Sequence, residues 1–178
     1  MGIIYEARVF AEAAHMGQTR KYTGEPYIKH PTRVAKLVLE HTNNNAVVAA
    51  AILHDVVEDT PVTIHQLSTH FGQEVADLVD WVTDVSRPSD GNRATRKELD
   101  RQHIAAAPYA AKNIKLADLI DNTESIVQHD PKFSKVYLRE KMRLLEVLAD
   151  SHPNLYRIAF DITRKGFQRL YRRIRTDA

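Results

Sequence analysis

Cysteine occurs nowhere in the 178-residue chain. Its absence excludes a disulfide framework, a cysteine-ligated zinc finger and a thiol nucleophile, and it permits a reducing cytoplasmic setting. Any bound metal must therefore use histidine and carboxylate ligands. Long apolar runs are missing too: no segment approaches the roughly 18 apolar residues of a membrane span. The opening MGIIYEARVF lacks the basic region and long apolar stretch of a secretory signal. The expectation is a soluble cytoplasmic protein without a membrane partner. Sustained strand-like alternation between hairpin turns is also lacking, which points to an all-α chain. A large excess of one charge is missing, since the net charge is only +2. Positive charge is nonetheless uneven: seven Lys and Arg but one acid, Asp161, lie between Arg157 and Arg175. That asymmetry raises a phosphate or nucleic-acid partner as a hypothesis. No repeat, low-complexity segment or interdomain linker is present, and the length suits one domain over residues 1–178.

What is there is helical periodicity. The apolar spacing predicts helices near 3–16, 32–41, 45–58, 64–71, 73–85, 93–106, 110–128, 132–150 and 154–174. Pro31, Pro131 and Pro153 suit helix starts, Thr63 with Gln66 fits a capping box, and Gly72 after HQLSTHF fits a helix C-cap. GQTRKYTGEPYIKH and SRPSDGN are read as loops. The C-terminal RKGFQRLYRRIR reads as a basic amphipathic helix, with Ile162, Phe167, Leu170 and Ile174 available for packing. A structural role is preferred there over an RNA or membrane face, because no base-stacking array or groove-reading motif accompanies it.

The stretch AAAILHDVVEDT, residues 49–60, places His54, Asp55, Glu58 and Asp59 within six positions. On one continuous helix His54 shares a face with Glu58, and Asp55 with Asp59. The preceding AVVAAAIL is apolar nearly all round, as expected of a central helix whose last turns carry polar groups into a cleft. Burying unpaired carboxylates is expensive, so a cation is the natural compensation. GEPYIKHP adds His30, and IKLADLIDN adds Asp118 and Asn122. A divalent ion such as Mn²⁺ or Fe²⁺ takes mixed imidazole and carboxylate ligands, and His30, His54, Asp55 and Asp118 would supply that set and leave positions open for water. The plainer alternatives are an exposed helix end with paired acids, a capping histidine at 30 and a solvated Asp118.

Taken in order, HMGQTRKYTGEPYIKHP, AAAILHDVVEDT, FGQEVADLVDWVTDVSR and IKLADLIDN resemble the HD-domain superfamily of metal-dependent phosphohydrolases. Within it they are similar to the hydrolase domain of RelA/SpoT homologues, and the length is similar to the stand-alone small alarmone hydrolases. The resemblance covers about residues 5–150 and leaves 151–178 as an added basic helix. It implies an all-α HD-domain fold of about eight to ten helices. It further implies one Mn²⁺ held by His30, His54, Asp55 and Asp118, with Glu58 and Asp59 handling the water and its proton.

By the same resemblance Arg20 and Lys21 would bind nucleotide, with Tyr27 beside them. Asn122, Ser125 and Tyr137 would line the nucleoside pocket, and Arg96 and Lys97 would touch pyrophosphate. The implied reaction is removal of the 3′-diphosphate from (p)ppGpp, with a nucleotide as small-molecule partner and a monomer or homodimer as the assembly. Alternatives are an HD phosphatase on (p)ppApp, NADPH or dNMP, and a nucleotide- or RNA-binding module without turnover. One departure stands out. Relatives read KLADKLYN or KLADRLHN, whereas this chain has Leu119 and Asp121, which would remove a positive charge and add a negative one near the cleft mouth.

Overall fold

The computed structural model describes the backbone of residues 2–176 and side chains through Arg172. Within it the chain is helical, with one isolated bridge between Thr19 and Pro26. The helices are α1 Ile3–Ala14, α2 Lys29–Leu39, α3 Asn45–Leu53, α4 Val56–Asp59, α5 Ile64–Phe71 and α6 Gln73–Val82. A 3-10 turn at Pro88–Asp90 leads to α7 Arg93–Ala105, α8 Tyr109–His129, α9 Pro131–Val147 and α10 Pro153–Thr176.

The expected punctuation is in place. Thr63 and Gln66 form a reciprocal capping box on α5, and Asp130 caps α9 ahead of Pro131. Gly72 closes α5 at φ 86°, a left-handed conformation that side chains disfavour, and opens α6. Helix α2 begins at Lys29 rather than 32, so the segment around His30 is helical rather than loop.

One expectation is overturned: residues 45–58 are not one helix. Helix α3 ends at Leu53, and α4 starts at Val56. His54 spends its Nδ1–H on the carbonyl of Ala51 at 2.9 Å. Asp55 sits at φ −96°, ψ −6°, in the sparsely populated bridge region. The columns expected to stack His54 under Glu58 are therefore interrupted, and the interruption falls on the two residues of the HD pair.

Helix α3 is the central post. Every residue from Val47 to Leu53 is buried, and its alanines let α1, α2, α6 and α8 pack against it. A helix apolar all round has no solvent face to offer. Truncating a fully buried leucine in such a core, Leu53 or Leu116, costs about 2–5 kcal/mol. Helix α10 lies along α8 and α9, with Leu170 buried and Ile162 and Phe167 packed at cluster edges. The side chain of Ile174 lies outside the described residues. At Gly166 an added Cβ would come within 2.8 Å of Leu138 and 3.2 Å of Val127, so a glycine is needed for that approach.

Candidate active site

Three elements converge on one point: α2 brings His30, the α3–α4 break brings His54 and Asp55, and α8 brings Asp118. Nε2 of His30 lies 3.4 Å from Asp55 Oδ2 and 3.2 Å from Asp118 Oδ1. Nε2 of His54 lies 3.1 Å and 3.6 Å from the same two atoms. Ligand atoms about 2.1 Å from a shared ion sit roughly 3.0–3.4 Å apart, so these separations are those of the edges of a coordination polyhedron. Both Nε2 atoms are buried without a hydrogen-bond partner, whereas buried polar atoms ordinarily have one. Each Nδ1 is engaged elsewhere, that of His54 by Ala51 and that of His30 by Asp121 at 2.7 Å. Neutral rings held this way keep a lone pair on Nε2, the atom facing the centre. The donor set fits a divalent ion, and His30, His54 and Asp55 form a group of candidate ligands.

Charge is tightly balanced here. Burial alone would lower the imidazole pKa values, but the surrounding carboxylates prevail and lift His30 to about 11 and His54 to about 9. Burial likewise opposes ionisation of Asp55 and Asp118, yet the two histidines hold both well below the usual carboxylate range. Without an ion, protons on the rings balance the carboxylates; with one, the ion takes their place.

Glu58 and Asp59 stand beside this centre. Burial, reinforced by the charge of Asp84, raises Glu58 to about 7, against the pull of Lys115. Asp59 is raised by burial and by Asp55, while Tyr27 and His15 work in the opposite direction. Lys115 donates to the carbonyl of Val82 at 2.9 Å and lies 3.6 Å from Asp84. Tyr27 donates to Asp55 Oδ2 at 2.7 Å, and its ring packs on His15, with centroids 4.7 Å apart.

A cavity of about 560 Å³ opens over the centre, lined by Asp55, Glu58, Asp59 and Asp118. Of the residues expected to contact substrate, Arg20, Tyr27, Lys97, Asn122 and Tyr137 line it. Arg20 donates to Asn122 Oδ1 at 2.6 Å. The hydroxyl of Tyr27 is committed to Asp55, and that of Tyr137 is within 3.1 Å of Thr123 Oγ1.

Lys21, Arg96 and Ser125 do not line the cavity. Lys21 lies over the ring of Tyr22. On α7 the cavity face carries Arg93, Lys97, Arg101 and Ile104, a helical stripe that leaves Arg96 to one side. On α8 the stripe is Asp118, Asn122 and Ile126, which places Ser125 off it. Lys97 pairs with Asp84 and Asp100.

Sequence reasoning missed Asp84, Lys115 and Lys141. Lys115, three positions before Asp118, had a helical-spacing signal; Asp84 and Lys141 had none. Several cavity cations have a carboxylate partner: Arg93 grips Glu140 at 2.8 Å and Arg101 grips Glu98 at 2.6 Å. Lys141 is among those that do not. Among the described residues no carboxylate pairs with its ammonium, which sits 5.0 Å from the centre of the Tyr137 ring. Burial, with Lys115 and Lys97 nearby, pulls its pKa below the usual lysine value, against the attraction of Asp118. Leu119 and Asp121 were expected at the cleft mouth, but neither lines the cavity. Leu119 is fully buried, and Asp121 sits behind His30.

The site can be compared with those of known proteins. A family model described as HD domain matches residues 7–152. Guanosine-3′,5′-bis(diphosphate) 3′-pyrophosphohydrolase MESH1 of Xenopus tropicalis is 38% identical over 134 residues, 73% of each chain. The Vibrio cholerae guanosine-3′,5′-bis(diphosphate) 3′-pyrophosphohydrolase is 34% identical over 93% of this chain, which spans only 24% of that protein. A solved structure described as a metazoan ortholog of SpoT that hydrolyzes ppGpp superposes with a TM-score of 0.82 at 29% identity, covering 93% of this chain and 96% of that one. With the family model spanning residues 7–152, most of its length, the chain belongs to the HD domain family.

Proposed function

We propose that this chain is a Mn²⁺-dependent pyrophosphohydrolase that removes the 3′-diphosphate from (p)ppGpp-type nucleotides. The observation that carries the reading is the convergence of two buried, unpartnered imidazole nitrogens with Asp55 and Asp118 at the base of a cleft. Relatives bearing the name of that activity support the substrate class. A chain without cysteine, with no membrane-crossing helix among its described residues, suits a cytoplasmic enzyme.

His30, His54, Asp55 and Asp118 would hold the ion. When bound there, a divalent cation offsets phosphate charge and lowers the pKa of the attacking water. Glu58, poised near neutrality by burial and Asp84, takes the water's proton, and Asp59 with Tyr27 fixes the geometry beside it. The water oxygen joins phosphorus, the ester bond to the 3′ oxygen breaks, pyrophosphate leaves, and the 3′ oxygen receives the proton that Glu58 took from the water. Arg20 and Asn122 bound the nucleoside end of the cleft. Lys141, a cavity-lining cation beside the Tyr137 ring, meets a phosphate oxygen.

The test is pyrophosphate release from ppGpp in Mn²⁺, abolished in Asp55→Ala and Glu58→Ala. If the Mn²⁺-loaded chain leaves every 3′-diphosphorylated nucleotide intact, the proposal fails.

A further inference from the structure

Behind the candidate metal centre, on the side away from the cleft, His30 is held by a carboxylate that is itself held. Asp121 Oδ2 lies 2.7 Å from His30 Nδ1. Arg33 grips both oxygens of Asp121, Nε to Oδ1 at 2.5 Å and Nη2 to Oδ2 at 3.1 Å. Nη2 of Arg33 also reaches Glu25 Oε1 at 2.8 Å, and the Glu25 carbonyl accepts from the backbone of Arg20. The His30 side chain is 1% exposed and that of Asp121 is 11% exposed.

We propose that Asp121 is a positioning residue for the metal centre, holding the His30 ring with Nδ1 protonated and Nε2 directed at the ion. The chemistry leaves one arrangement. A carboxylate fixed by a guanidinium fork can only accept, so Nδ1 must be the donor, and when the ring gives up its other proton to a bound ion the lone pair is on Nε2. Two parallel hydrogen bonds from Arg33 fix the plane of the carboxylate, and through it the ring. Position 121 is where the patterns KLADKLYN and KLADRLHN carry tyrosine or histidine, neither of which brings a fixed negative charge. Because Asp121 is absent from the cavity wall, it does not touch substrate. Its effect passes through His30.

A purely structural tie between α2 and α8 is the competing explanation, and metal affinity separates the two. The inference rests on the metal-centre reading, so the measurement is Mn²⁺ binding by titration calorimetry on the full chain, without substrate. Asp121→Ala should weaken binding about 10- to 100-fold, the usual effect of removing an outer carboxylate. Asp121→Asn, which retains an acceptor oxygen, should recover part of the loss, and saturating Mn²⁺ should restore most of kcat in both variants. A folded Asp121→Ala protein with wild-type affinity overturns the role of Asp121 and leaves the metal centre standing. A wild-type chain that takes up no Mn²⁺ overturns the metal-centre reading itself. Should Asp121→Ala fail to fold, Asp121→Asn and Arg33→Gln carry the test. Weaker binding in both supports the role, and wild-type affinity in both sinks it.

Discussion

The hydroxyl of Tyr27 donates to Oδ2 of Asp55 at 2.7 Å, so a residue from the loop before α2 orients a carboxylate at the break between α3 and α4. That bond ties Tyr27 to the candidate metal centre while its ring stays in the cavity wall. Tyr27→Phe removes one hydrogen bond to a charged acceptor, worth about 1.5–3 kcal/mol. The expected result is Mn²⁺ affinity reduced tenfold or more with KM for nucleotide little changed. A KM increase at unchanged Mn²⁺ affinity would return Tyr27 to the substrate side.

Uptake of the ion should release protons. The carboxylates raise His30 and His54 to about 11 and about 9, so both rings are protonated at neutral pH in the ion-free protein, and only neutral imidazole ligates. The sign follows: affinity rises with pH, by about two log units per pH unit between pH 6 and 8, as about two protons leave per ion. Calorimetry in buffers of different ionisation heat counts them. Binding that is indifferent to pH would contradict the ligand assignment.

Glu58 acts only when ionised, and burial with Asp84 raises it to about 7. Activity should therefore climb with pH and level off above about pH 7. Glu58→Gln should lower kcat about 10²- to 10⁴-fold, the range of general base catalysis. The residual rate should lack the acidic limb. A Gln variant that keeps the limb assigns it to another group.

Lys141 lines the cavity and, among the described residues, no carboxylate pairs with its ammonium. Lys141→Ala should raise KM for a diphosphorylated nucleotide about tenfold or more, the size of one charge-assisted hydrogen bond. Lys141→Arg should lose less. The same change should leave Mn²⁺ affinity near the wild-type value, since Lys141 is not among the candidate ligands. An unchanged KM would remove Lys141 from the phosphate seat.

Gly166 offers a test of packing away from the site. Helix interiors ordinarily gain from replacing glycine, but here the new side chain would meet Leu138 at 2.8 Å and Val127 at 3.2 Å. Gly166→Val should lower unfolding stability by about 1–3 kcal/mol, read as a lower urea midpoint. A neutral result would mean that α10 shifts freely on α8 and α9.

The helices themselves were legible because the 3.6-residue spacing is strong and the caps are explicit. Thr63, Gln66 and Gly72 do locally what their types do anywhere. The grouping of His30, His54, Asp55 and Asp118 was read from four motif blocks in the order of a known family, and the structure brings the four side chains together. Two features were beyond reach. The break after Leu53 depends on the His54 ring turning back to Ala51, a choice that periodicity does not encode. The face of α7 that meets the cleft is Arg93 and Lys97 rather than Arg96, because a helix's rotation is set by what it packs against.

Asp121 shows the division most clearly. By sequence it was a misplaced charge three residues after Asp118. Only the fold brings it to His30, 91 positions earlier. Local chemistry and spacing thus determined the elements and the donor types. The tertiary structure decided which donors face one another, because distances between residues far apart in the chain are fixed only when the helices pack.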